Sequence, residues 1–236
     1  MPPPPPPSFP SAPTGGATPA GYVAYQQAGV QRSVRGLGTA VLVMYGVVTG
    51  CAVLLAGAFF RRWSVVDEIF DRGTQVSSAE QARIADTDTL VVTTSSLLLV
   101  AAVVAGVITA VWAHRIAKNA VARGAYDVSP GMAAGGWFIP FGMWWLPFRE
   151  VRKSVETTGR SGDSVRHWQV AWLVTSLLGY FMRRNINEFD TSGADAFVSS
   201  LQRQWVLGGA SAALYAVSLW FAWRAVRTAS AALHTA

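Results

Sequence analysis

Histidine is the side chain best suited to proton transfer and metal binding near neutral pH. The chain holds three: His114, His167 and His234. His114 and His167 each stand beside an arginine at the edge of an apolar run, which reads as interfacial anchoring rather than as a metal pair. The single cysteine, Cys51, offers no disulfide framework and no CxxC metal pair. Val48-Thr49-Gly50-Cys51 loosely resembles a lipoprotein processing site, but Ala52–Phe60 continues apolar and places Cys51 near mid-run. No nucleophile–base pair and no carboxylate pair appears in register, so no catalytic, metal or cofactor-binding residue is expected, and no cofactor. What remains is a set of hydroxyls in apolar surroundings: Thr93, Thr94, Ser95, Ser96, Thr175, Ser176, Ser211, Tyr215 and Ser218. Such groups commonly bond their own helix or a neighbouring one.

The elements that carry these residues are apolar and long. Gly36–Phe60 and Thr89–Ala113 are 25 residues each, Trp205–Trp223 is shorter, and none holds a charge. Twenty-five residues make about 37 Å of helix, against roughly 30 Å of bilayer hydrocarbon. Trp168–Met182 has 15 residues and spans only if His167 and Arg183 snorkel at its ends. Hydrophobic residues are 51% of the 236 and charged ones 14%, where a soluble domain carries roughly 25% charged. An integral membrane protein is the reading these numbers allow. The absence of Asp, Glu, Lys, Arg or His inside the four runs weighs against an ion-coupled transporter or proton relay.

Residues 1–35 form a tail that opens on six prolines, Pro2–Pro7, with no basic leader before them. Its composition predicts a solvated, polyproline-like tether, and Pro7-Ser8-Phe9-Pro10 also fits a PxxP docking motif for a protein partner. Arg61–Asp88 reads as a polar loop and His114–Ala122 as the second helix emerging at the interface. Gly131–Phe148 is uncharged, with four glycines, Pro140 and Pro147 among its aromatics Trp137, Phe138, Phe141, Trp144, Trp145 and Phe148. Glycine and proline make a smooth spanning helix costly there. A re-entrant or interfacial element is expected, held by protein partners. Arg149–Glu156 follows as a short amphipathic helix with Phe148, Val151 and Val155 on one face and Arg152 paired to Glu156.

The resulting architecture is all-α, a polytopic membrane helix bundle of four transmembrane helices plus the Trp/Pro element. Its membrane domain covers 36–227, with spans near 36–60, 89–113, 168–182 and 205–223, the re-entrant element at 131–148, and a short tail at 228–236. Twelve of the 19 Lys and Arg then fall on the side of both termini, which makes that side cytoplasmic. The net charge of +6 serves orientation in this reading, not nucleic-acid binding. Arg149, Arg152 and Lys153 lie within reach of anionic lipid headgroups. Gly46-Val47-Val48-Thr49-Gly50 would let another helix approach closely, either within the bundle or in a homo-oligomer.

The stretch Gly135–Ser154 resembles the signature of a bacterial membrane family catalogued as domain of unknown function 4328. Members share W-F-[IV]-P-x-x-N-L-W-x-P-[YF]-x-x-[VM], and Trp137, Phe138, Ile139, Pro140, Trp145, Pro147, Phe148 and Val151 fit it. A Pro-rich tail, two preceding spans and a following span with Trp168 and Trp172 are also similar to the family's layout. The family's asparagine is replaced by Met143. The resemblance implies a multi-pass protein of the bacterial inner membrane and leaves activity open, since the family has none established.

Three functions are open: a non-enzymatic membrane scaffold or accessory protein, which leads; a small transporter or channel using the Trp/Pro element; and a lipid-acting membrane enzyme. A water-accessible cavity reaching Ser95, Thr175 or Tyr215 would favour transport. A dry Leu/Val-packed bundle would favour the scaffold.

Overall fold

The computed structural model describes residues 33–73, 76–186 and 193–233. The proline tail, its PxxP motif and His234 lie outside the described residues. Every regular element among them is helical: α1 (Arg35–Asp71), α2 (Ser78–Ala122), α3 (Pro130–Gly135), α4 (Leu146–Glu156), α5 (Asp163–Ile186) and α6 (Ala194–Ala232), with two 3-10 turns at Gly136–Phe138 and Gly142–Trp144. Among the described residues three helices, α1, α2 and α6, are long and apolar enough to cross a membrane. At 37, 45 and 39 residues they reach roughly 55 to 67 Å, well beyond a bilayer's hydrocarbon.

α1 lies between α2 and α6, and α5 packs on α6, while α2 and α5 barely touch. The helices pack on their small residues. Ala52, Ala101, Ala105, Ala113, Ala212, Ala222 and Ala229 are buried, whereas Val43, Leu54, Leu97, Val100, Val103 and Val217 face outward. That is the inverse of a soluble core. Small side chains let membrane helices approach, and large apolar ones meet lipid at no cost.

One end of the bundle gathers the start of α1, the end of α2, α3, α4, the start of α5 and the end of α6 around Tyr45, Trp112, Phe148 and Trp168. This is the aromatic end. At the opposite, hairpin end, the polar loop expected over Arg61–Asp88 is instead mostly helix, since α1 continues to Asp71 and α2 begins at Ser78. A capping box starts α2: Glu80 N–H donates to Ser77 Oγ, and Ser77 N–H to Glu80 Oε2. Ion pairs then hold the hairpin, Arg62 to Asp88 at 2.7 Å, Arg72 to Glu80 at 3.0 Å and Arg83 to Glu68 at 3.1 Å. α6 likewise runs on to Ala232, into the expected tail, because α2 serves its last carbonyls: Arg123 Nη1 donates to Ala232 O and Asn119 Nδ2 to Leu233 O.

The contact within the bundle expected at Gly46 and Gly50 is corrected. Both lie on an exposed face of α1, and no atom comes within 4 Å of where a side chain would start. The buried face of α1 is the stripe Gly38, Val41, Tyr45, Val48, Ala52 and Phe59. A close approach does occur at Gly38, where an added Cβ would lie 2.7 Å from Ser230 Oγ, and at Gly208 of α6, 2.9 Å from Phe59.

Candidate functional site

Two places in the fold could do more than hold it together: the Trp/Pro element at the aromatic end and a cavity toward the hairpin end. The element doubles back. Lys153 Nζ reaches Asp127 Oδ2 at 3.1 Å, and Ser129 N–H donates to Glu150 Oε2 at 2.8 Å, so the chain before and after Gly131–Phe148 meets on one side. Pro147 stands in the first turn of α4, where its missing N–H costs nothing.

The aromatics of the element divide between two tasks. Phe148 is 1% exposed, with its ring 4.9 Å from Trp168, and Trp137 packs edge-on to Phe148 and Trp172. Pro147 is buried beside them. Gln169 Nε2 donates to Trp144 O at 3.0 Å, satisfying a carbonyl between the 3-10 turn and α4. The remaining residues point out: Phe138 is 72% and Phe141 66% exposed, and Trp145 and Pro140 are exposed with them. Phe141 holds φ at +60°, and Gly142 N–H bonds back to Pro140 O at 2.7 Å, a strained three-residue γ-turn at the tip. Buried anchors and outward-pointing rings are therefore different residues of one loop.

The three cations expected at lipid headgroups are all ion-paired within the protein. Arg149 meets Glu150, Arg152 meets Glu156 at 3.4 Å as expected, and Lys153 meets Asp127. Glu150 is the buried member of this group, and sequence reading missed it. At about 100° per residue it lies well off the Phe148, Val151 and Val155 face, so the helical period carried no signal of its burial.

The cavity is the other candidate. It encloses about 460 Å³ between α1, α2, α5 and α6, in the gap left because α2 and α5 barely touch. Ser95 and Ser96 enter from α2, Thr175 from α5, and Ser211 and Tyr215 from α6. The structure thus brings five of the singled-out hydroxyls together. Thr94 and Ser218 are buried elsewhere. Leu55, Phe59, Leu98, Leu99 and Leu214 make its walls. Ser95 and Ser96 donate to Val92 O, and Thr175 to Leu214 O, so their oxygens face the space chiefly as acceptors. At the hairpin end the lining turns polar: Arg62 donates to Gln204 Oε1 at 3.4 Å and contacts Asp88. From Arg62 to Ala52 the cavity follows about 15 Å of α1. Its inner limit lies near the Val48, Ala52, Ala105 and Ala212 cluster, with the Tyr45–Trp112–Trp168 packing beyond. No residue of Gly131–Phe148 lines it.

Arg62 and Gln204 were not singled out from the sequence. Both lie beyond the ends of uncharged runs, yet Leu55, Phe59, Arg62 and Val66 keep helical spacing, as do Leu201, Gln204, Gly208, Ser211 and Tyr215. Extending the period past the charges would have found them. Among the described residues no group of three His, Cys, Asp or Glu could hold a metal. His114 Nδ1 sits 3.0 Å from Pro130 O, and the His167 ring lies 6.0 Å from Phe221.

Residues 74–231 match a family model described as a domain of unknown function (DUF4328). The chain belongs to that family. The matched region takes in α2 through nearly all of α6, and so both the Trp/Pro element and three of the four walls of the cavity. No curated protein and no solved structure matches the chain.

Proposed function

We propose that this DUF4328 member is a non-enzymatic, four-span protein of the bacterial inner membrane, with both termini cytoplasmic, that binds a small amphipathic solute in the hydroxyl-lined cavity. The cavity itself carries the reading. It reaches Ser95, Thr175 and Tyr215 together, which supports a ligand-binding or carrier protein over a dry scaffold. Hydroxyl oxygens in the depth, leucines along the walls and the Arg62–Gln204 pair at the mouth suit a molecule with an apolar body and hydrogen-bonding groups.

The fourth span is α5. Its 24 residues make about 36 Å of helix, and Val170, Val174, Leu178 and Phe181 turn an apolar face outward. The meeting of Asp127 with Lys153 favours a Trp/Pro element that enters and returns on the cytoplasmic side. The cavity then opens toward the outer leaflet and sideways between α2 and α5. Transport through the chain would require the aromatic end to part. The dry packing there supports a second reading, an accessory subunit that holds a partner or lipid in place.

The test is ligand retention. Protein purified in mild detergent with its bound small molecules retained is compared by native mass spectrometry with Ser211→Trp, which fills the cavity, and Tyr215→Phe, which removes one hydroxyl. The reading expects a co-purifying molecule on the wild type, less of it on Tyr215→Phe and none on Ser211→Trp. Equal occupancy in all three would overturn it.

A further inference from the structure

A second cleft, of about 410 Å³, lies at the aromatic end between the first turns of α1 and the last turns of α6. Arg35, Thr39, Trp223, Arg227 and Ser230 line it. Unlike Arg149, Arg152 and Lys153, neither Arg35 nor Arg227 has a carboxylate within ion-pair distance among the described residues. The Arg227 guanidinium is instead held over the Trp223 ring at 4.7 Å, and Trp223 stacks on Trp220 at 5.6 Å. Ser230 Oγ is buried and has no hydrogen-bond partner among the described residues. The Thr39 hydroxyl donates to Arg35 O, which leaves its oxygen free to accept. α1 begins beside the cleft, at Arg35, with no side-chain cap, and a helix N-terminus favours negative charge.

We infer that this cleft binds the phosphodiester headgroup of an anionic phospholipid. Two guanidiniums and an unpartnered hydroxyl donor are the chemistry that recognises a phosphate. The same chemistry would accept a free phosphate, but the surroundings favour the lipid. Arg35 directly precedes the first apolar run and Arg227 follows the last. The tryptophans beside them belong at the headgroup boundary. Leu42 continues the cleft toward the hydrocarbon, with exposed Trp220 and Val43 on the outer surface for an acyl chain. The charge that meets lipid is thus at the junction of α1 and α6, away from the basic helix α4.

Full-length protein in nanodiscs of phosphatidylcholine with graded phosphatidylglycerol tests this, with retained phosphatidylglycerol counted by native mass spectrometry. About one tightly held phosphatidylglycerol per chain is expected. Its apparent affinity should fall on the order of tenfold in Arg35→Gln/Arg227→Gln. It should be kept in Arg149→Gln/Arg152→Gln, and unchanged thermal unfolding of Arg35→Gln/Arg227→Gln in detergent separates lost charge from lost fold. Equal loss in both glutamine pairs, or in neither, overturns the site. Competition by millimolar inorganic phosphate as effective as by the lipid would assign it to a free anion. Binding seen only after deletion of residues 2–30 would assign it to the chain's own tail. Either result overturns the lipid.

Discussion

Gly136 sits where an added Cβ would lie 3.0 Å from both Leu146 Cβ and Pro147 Cδ, and 3.3 Å from Pro147 N. Neither neighbour can swing away, since one is a Cβ fixed to the backbone and the other a ring in the first turn of α4. Gly136→Ala should therefore lower stability by about 1–3 kcal/mol, the usual cost of overpacking. Gly46→Ala and Gly50→Ala meet open space and should be neutral, or stabilising by up to about 1 kcal/mol each through helix propensity. Thermal unfolding in detergent compares the three, and a loss at Gly46 matching that at Gly136 would contradict the outward placement of that face. Glu150 is a second residue with a sharp expectation. It accepts the Ser129 N–H and contacts Arg149 while almost fully buried. Glu150→Ala leaves the amide without a partner at a cost of about 1–3 kcal/mol, and limited proteolysis should then open the chain near residues 127–131.

At the scale of elements, the α1–α2 hairpin depends on its capping box. The Ser77 backbone N–H, then the Ser77 hydroxyl, then the charges of Arg72 and Arg83 hold the Glu80 carboxyl below its ordinary 4.5. A carboxyl whose pKa is lower folded than unfolded adds stability above the unfolded value and loses it as pH falls through the folded one. The hairpin end should accordingly loosen in acid, below about pH 4.5. Hydrogen exchange of amides 78–82 at pH 6 and pH 3.5 reads this directly. Glu80→Gln should show less protection at pH 6 and a smaller change between the two. Unchanged protection in the wild type would mean that the box does not hold the end of α2. The Trp/Pro element follows the same logic: Pro147 starts α4, Phe148 and Trp137 anchor the loop on α5, and the γ-turn at Phe141 projects the remaining rings outward.

For the molecule as a whole, sidedness is the measurable property. The aromatic end collects Arg115, Lys118, Arg123, Arg149, Arg152, Lys153, Arg160, Arg166, Arg224 and Arg227, so under the proposed orientation it faces the cytoplasm. In a Cys51→Ser background, Tyr126→Cys and Arg160→Cys should both resist a membrane-impermeant thiol reagent on intact cells, while Gln81→Cys should label. Labelling of Tyr126→Cys or Arg160→Cys alone would mean that Gly131–Phe148 crosses the membrane.

The sequence alone determined the class of the fold, because uncharged runs as long as Gly36–Phe60 and Thr89–Ala113 have few places to go but lipid. It also located the C-terminal end of α4 at Glu156, through the Phe148, Val151, Val155 stripe, although the helix starts three residues before the expected Arg149, at Leu146, and it identified the family. These are local properties, written in period and composition. Partnership was not local. Which face of α1 is buried turned on Gly38 and Phe59 meeting α6, and the outward GxxxG carried the stronger motif. Polar residues at helix ends look alike in sequence whether they meet water, as Arg61 does, or a cavity, as Arg62 does, one residue and about 100° of helix later. The cavity exists because α2 and α5 stand apart across α1 and α6. No single helix encodes that gap, so only the tertiary structure could bring Ser95, Thr175 and Tyr215 to one space.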